Sequence, residues 1–229
     1  MSLLNKWSGK PLLCYVTDRS LLSADYVEAG KLLSQKIAGA AAAGVDWIQI
    51  REKDLSGREW SSFTREALQF VSDSESSVAR RTRVLLNDRL DVALATQAGG
   101  VHLGEKSLPP QEALRLVQSL HRERDFLIGV SCHSLEAAKA AERRGADYLF
   151  FGPVFATPSK AAYGTPQGLE RLAAVCQAVA LPVLAIGGIT LENTAHCLSA
   201  GASGVAAIRL FQDVPDMTAV VRALRAALV

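Results

Sequence analysis

Eight short apolar runs, each about as long as a strand, alternate with helix-compatible stretches, and that alternation leaves few folds open. The runs are Leu12–Thr17, Trp47–Arg51, Val84–Asn87, Gly100–Leu103, Leu127–Ser131, Tyr148–Gly152, Pro182–Ile186 and Gly204–Ile208. Between and after them lie Lys31–Ala43, Gly57–Ser72, Leu90–Gln97, Pro110–Leu120, Leu135–Arg144, Gly168–Ala178, Leu191–Ala200 and Met217–Leu228. Strands apolar on both faces, alternating with helices, imply parallel pairing with both faces of the sheet covered. Gly44, Gly145 and Gly201 each stand where a helix should stop and a strand begin, so one βα unit is used repeatedly. An open doubly wound sheet shares this alternation, but a count of eight favours a parallel (β/α)8 barrel, the α/β TIM barrel with outer helices. The 229 residues suit one such domain over 1–229.

The charge balance narrows the partners. With 25 basic and 23 acidic residues the formal charge is +2, which argues against nucleic acid or an anionic membrane as partner. The basic runs Arg80–Arg83 and His121–Arg124 precede expected strands and read as solvated loops. Cys14, Cys132, Cys176 and Cys197 have no metal or redox spacing, and no run approaches the length of a membrane span, so a cytoplasmic, unexported protein is expected. The sequence leaves the oligomeric state open, a homo-oligomer included.

Polar residues fall where a barrel of this kind builds its site, at the C-terminal strand ends. The second run ends Gln49-Ile50-Arg51-Glu52-Lys53, and alternation turns Gln49, Arg51 and Lys53 to one side. Three donors together suit an anion. The third run ends in Asn87-Asp88-Arg89, the fifth in Ser131-Cys132-His133 and the seventh in Gly187-Gly188, whose backbone N–H groups could approach a phosphate. After the sixth run the long loop 153–167 carries Thr157, Ser159 and Lys160 and has the composition of a lid. His133 reads either as a general base or, with Ser134, as a cap of the following helix.

At these residues the chain resembles the thiamine phosphate synthase family, from about Leu12 to Phe211. The likeness is carried by Tyr15-Val16-Thr17-Asp18, Gln49–Lys53, Asn87-Asp88-Arg89, Gly100-Val101-His102-Leu103-Gly104, Gly129–His133, Gly152–Lys160 and Ala185–Ile189, in that order. The resemblance implies condensation of hydroxymethylpyrimidine diphosphate with a thiazole phosphate, giving thiamine phosphate and pyrophosphate, with Mg2+ as cofactor. It also implies that Gln49, Lys53 and Asn87 hold the diphosphate, that Asp88 binds Mg2+, and that Ser131 and Lys160 complete the diphosphate and pyrimidine pocket. Thr157, Ser159 and Gly188 would hold the thiazole phosphate.

Two departures stand out. Ser107 occupies the place of a second metal-binding aspartate, and a hydroxyl is a poorer Mg2+ ligand than a carboxylate; Glu105 is the candidate substitute. Ile208-Arg209 stands where the family has a small hydroxyl residue, so Arg209 would either strengthen phosphate binding or block it. These departures keep two alternatives in view: a related thiazole tautomerase using His133, and a catalytically silent phosphoester-binding barrel. The complete Gln49, Arg51, Lys53 and Asn87-Asp88 sets favour the synthase.

Overall fold

The computed structural model describes residues 10–74, 82–122, 125–157 and 165–227. Eight parallel strands, β1 (Leu12–Val16), β2 (Trp47–Ile50), β3 (Arg83–Asn87), β4 (Gly100–Leu103), β5 (Leu127–Cys132), β6 (Tyr148–Phe151), β7 (Val183–Ile186) and β8 (Gly204–Ala207), close in sequence order into a barrel. Leu12 of β1 pairs with Gly204 of β8, which removes the free edge an open sheet would expose. The outer ring is α1 (Tyr26–Ala42), α2 (Gly57–Ser74), α3 (Leu90–Thr96), α4 (Pro110–Ser119), α5 (Leu135–Arg143), α6 (Gly168–Ala178) and α7 (Leu191–Ser199). A short α8 (Arg209–Gln212) and then α9 (Met217–Ala227) follow β8.

Two interleaved cores follow from the period-two alternation of the strands. Leu12, Cys14, Val16, Trp47, Leu85, Leu127, Tyr148, Phe150, Leu184 and Ala206 form one cluster inside the barrel. Their sequence neighbours, such as Leu13, Ile48 and Val205, face outward and pack with helical Leu33, Ile37 and Leu172. Glycine makes room for the largest inward side chains. A Cβ on Gly129 would lie 2.0 Å from the Tyr148 ring, and Trp47 packs on that same ring with centroids 4.6 Å apart. Small residues opposite large ones keep the interior a packed core up to the strand ends.

Gly44, Gly145 and Gly201 adopt φ of 81°, 86° and 97°, the left-handed conformation expected of a residue that ends a helix. Most helix ends fall within two residues of the sequence expectation, and the largest difference is that α1 begins at Tyr26, not Lys31. Asp25 accepts a hydrogen bond from the Glu28 N–H at 2.8 Å, and this cap recruits an exposed first turn with no apolar periodicity to reveal it. Arg83 belongs to β3, its guanidinium donating to the Asp125 carbonyl at 3.0 Å, so the solvated-loop reading fails at that residue; Arg80, Arg81, Glu123 and Arg124 lie outside the described residues. Cys14, Cys132 and Cys197 are buried, Cys176 is half-buried, and all four are free thiols.

Candidate active site

At the C-terminal ends of the strands a cavity of about 1080 Å³ opens, lined by residues from all eight strand ends; Asp88, which follows β3, lies just outside the lining. Gln49, Arg51, Lys53, Asn87, Ser131, His133, Thr157, Gly187, Gly188, Ile208 and Arg209 all face it. Its floor is the top of the inner core, with Val16, Phe150, Ile186 and Ile208 as the apolar part. Ser159 and Lys160 lie outside the described residues.

On the β2 side, Gln49 is buried and its Nε2 donates to Asn87 Oδ1 at 2.9 Å, while Asn87 Nδ2 donates to Asp88 Oδ2 at 2.9 Å. The amides therefore form an ordered chain that orients Asp88. Gln49 Oε1 is buried with no hydrogen-bond partner among the described residues, an acceptor left open in the wall of the cavity. Arg51 lies 3.9 Å from Asp18, a loose pairing that leaves most of its donors free. Lys53 is exposed and forms no ion pair among the described residues.

Asp88 sits at φ 59°, a conformation tolerated by Asp because its short side chain can bond locally. Here it accepts from the Gly104 N–H at 3.2 Å and from the Ser107 hydroxyl. The loop after β4 thus delivers Ser107 to the carboxylate it was expected to assist. Glu105 has no hydrogen bond to Asp88 among the described residues. It is exposed, lies outside the cavity lining, and stands near Cys132, whose thiol is pushed up to about 12 by burial first and by this carboxylate second. Of the two residues, Ser107 is the one that bonds Asp88.

No group of three or more His, Cys, Asp or Glu side chains able to hold a metal occurs among the described residues. The donor set still fits Mg2+, which keeps several waters and is commonly held by one or two carboxylates together with substrate phosphates. Asp88 supplies one carboxylate, Ser107 one hydroxyl.

On the far side of the floor, His102 of β4 is buried between Tyr148 and Ser131. Its Nδ1 lies 3.1 Å from the Tyr148 hydroxyl and its Nε2 lies 2.9 Å from Ser131 Oγ. Its ring stacks on Phe150 with centroids 4.2 Å apart. Burial, with the positive charge of Arg51 second, pushes its pKa down to about 3, so the imidazole is neutral at neutral pH. His133 points the other way. Its Nδ1 donates to the Gly152 carbonyl, and because that oxygen can only accept, a neutral ring presents the Nε2 lone pair. The cap of α5 is Ser134 alone, accepting from the Ala137 N–H at 3.1 Å, so His133 is left for the cavity.

Gly187 and Gly188 take φ of 94° and 67°, and the space a Cβ would need is already filled. At Gly187 it would meet Pro153 at 2.5 Å, and at Gly188 the Ala156 carbonyl at 2.6 Å. Only glycine lets the loops after β6 and β7 close on each other here. Asn193 fixes the turn from below, donating to the Gly188 carbonyl at 2.8 Å within a Thr190–Asn193 capping box. Arg209, exposed at the start of α8, borders the same corner and forms no ion pair among the described residues.

The loop after β1 closes the remaining side with groups the sequence did not single out. Arg19 is buried, forks onto Asp54 at 3.0 and 2.8 Å, and lies 4.4 Å from the centre of the Tyr26 ring. Glu52 accepts from Thr17 Oγ1 at 2.5 Å and from the Arg19 N–H at 3.1 Å, while burial raises its pKa against those bonds.

A family model described as thiamine monophosphate synthase matches residues 13–211. The chain belongs to that family. It is 44% identical to the thiamine-phosphate synthase of Methanoculleus marisnigri, over 81% of this chain and 83% of that one. It is 38% identical to the thiamine-phosphate synthase of Moorella thermoacetica, over 86% and 88% of the two chains. Among solved structures, thiamine phosphate pyrophosphorylase from Pyrococcus furiosus superposes with a TM-score of 0.79 at 31% identity, covering 96% of each chain. No helix among the described residues is long and apolar enough to cross a membrane.

Within this thiamine monophosphate synthase family member, sequence reasoning missed two groups that border the cavity. His102 was legible only as part of a matching segment; its signal is a polar residue at an inward position of a strand whose neighbours Val101 and Leu103 face the helices. Arg19 gave no signal, because it sits in a short loop and meets Asp54 only once β1 and β2 are side by side.

Proposed function

We propose that this chain condenses hydroxymethylpyrimidine diphosphate with a thiazole phosphate to give thiamine phosphate and pyrophosphate. The observation that carries the reading is one cavity with two groups of anion-binding donors in its lining: Arg51, Lys53 and Asn87, which also holds Asp88 just behind the lining, on one side, and Gly187-Gly188 and Arg209 on the other. A single phosphoester would need only one of them. In the reaction the C–O bond to the diphosphate breaks and the electron pair leaves with it. The thiazole nitrogen then supplies the pair for the new C–N bond, and CO2 leaves as well when the thiazole carries a carboxylate.

Such chemistry asks the protein for position and charge more than for proton transfer. Lys53 and Arg51 stabilise the departing diphosphate, with Gln49 holding Asn87 in place. Phe150, Ile186 and Ile208 keep water from the planar rings and the cationic carbon between them. Ser131 offers a hydroxyl beside the pyrimidine, Thr157 and the Gly187-Gly188 backbone receive the thiazole phosphate, and Ser159 and Lys160 are assigned to the same loop by resemblance. Asp88 and Ser107 would hold Mg2+, which when bound supplies countercharge to the diphosphate. The substrates are small phosphorylated molecules and the compartment a reducing cytoplasm, neither nucleic acid nor membrane being a partner.

Incubation with both substrates and Mg2+ tests this directly. Thiamine phosphate and pyrophosphate should form in equal amounts, with neither formed when one substrate is omitted. Isomerisation of the thiazole phosphate carboxylate alone would instead support the tautomerase reading, which the outward Nε2 of His133 favours. His133→Asn separates the two, since it should abolish isomerisation and leave most condensation. Binding of thiamine phosphate with neither reaction would support a silent binder.

A further inference from the structure

We infer that Tyr148 and His102 form a fixed hydrogen-bond relay that makes Ser131 a donor toward the cavity. The inference deepens the synthase reading and rests on it for the ligand that Ser131 meets. The chain of contacts is Tyr148 hydroxyl, 3.1 Å, His102 Nδ1; His102 Nε2, 2.9 Å, Ser131 Oγ. Tyr148 and His102 are 0% and 2% exposed, and only Ser131 reaches the cavity lining with polar atoms still to spare.

The direction of each bond follows from what each group can do. A phenol this deeply buried keeps its proton, and among the described residues its hydroxyl meets only His102. If Nδ1 carried the ring proton, two donors would compete for one contact and the phenolic hydrogen would be left without an acceptor. A buried donor without an acceptor disfavours that tautomer roughly tenfold or more. Tyr148 therefore donates to Nδ1, the neutral ring carries its hydrogen on Nε2, and Nε2–H donates to Ser131 Oγ. With its oxygen accepting from His102, the Ser131 hydroxyl hydrogen is free to point at a ligand oxygen or ring nitrogen. Phe150, stacked on the imidazole, prevents the ring from turning out of this alignment.

Tyr148 and His102 are thus positioning residues, two hydrogen bonds and one hydrogen bond away from Ser131. The relay selects for a ligand that presents an acceptor at Ser131 and against one that presents a donor.

The relay is tested by nitrogen-15 NMR of histidine-labelled, ligand-free protein, with His102→Gln to assign the resonances of His102 among the four histidines. The expected result is a protonated Nε2 and an unprotonated Nδ1. Tyr148→Phe keeps the ring that fills the barrel and removes only the donor. It should weaken the tautomer preference and lower kcat by roughly tenfold with KM little changed, as loss of one oriented donor predicts. Ser131→Ala should then cost less in the Tyr148→Phe background than in the parent, because the two residues act through one path. A protonated Nδ1 in the parent would overturn the relay, as would full additivity of the two substitutions. If the protein proves not to condense the two substrates, the NMR result still decides the relay while the synthase reading fails separately.

Discussion

Lys53 lines the cavity with no ion pair among the described residues, whereas Arg19, in the same lining, is committed to Asp54 and Glu52. The difference separates a charge available to a ligand from one used to hold a loop. Lys53→Ala should lower kcat/KM for condensation by on the order of 10²-fold, the effect typical of removing one group aimed at developing negative charge. The far-ultraviolet circular dichroism should stay unchanged; near-parental activity would remove Lys53 from the anion wall. His102 gives a prediction for stability. Its folded pKa of about 3 lies below the ordinary 6.5, so between those values the unfolded chain binds a proton that the folded chain refuses. The neutral imidazole's contribution is complete above about pH 6.5 and is lost as pH falls toward 3. Unfolding free energies from denaturant titration at pH 7 and pH 4.5 should therefore differ less for His102→Gln than for the parent, by on the order of a few kcal/mol. An equal loss in both proteins would mean that another group drives acid unfolding.

Among elements, the strands tolerate less than the helices. Gly129 on β5 faces the Tyr148 ring at a distance no added methyl could share, so Gly129→Ala should destabilise by about 1–3 kcal/mol or more. Gly39, inside α1, has nothing within 4 Å of an added Cβ, and Gly39→Ala should stabilise by about 0.5–1 kcal/mol. Urea unfolding of the two variants checks both signs. The loops after β3 and β4 make a third case. Ser107 already bonds Asp88, so Ser107→Asp should lower the Mg2+ concentration for half-maximal activity, while Glu105→Gln, at an exposed residue with no bond to Asp88 among the described residues, should not change it. The elements themselves were legible because their signals are periodic and local: β4 and α6 begin and end where the apolar pattern does. What escaped was set by contacts distant in sequence or by a single cap, as with the first turn of α1, the fork of Arg19 onto Asp54, and the burial of His102 against Tyr148. That Gln49, Lys53, Asn87 and Ser131 line the cavity was legible because polar groups at or just past inward strand ends have few other reasons to be there.

At the scale of the whole molecule, closure of the barrel is what brings β2 and β3 on one side and β7 and β8 on the other to a shared mouth. An open sheet would spread the same residues along one crevice. The apolar floor between the walls sets the distance that two substrates must bridge, and condensation requires both walls to be used at once. A crystal structure of the protein soaked with Mg2+, pyrophosphate and thiamine phosphate tests this most directly. Pyrophosphate should lie against Lys53, Arg51 and Asp88, with the phosphate of thiamine phosphate against Gly187, Gly188 and Arg209 and its rings over Phe150 and Ile186. Both products competing for one wall, or pyrophosphate absent from the Lys53 side at saturating concentration, would contradict it.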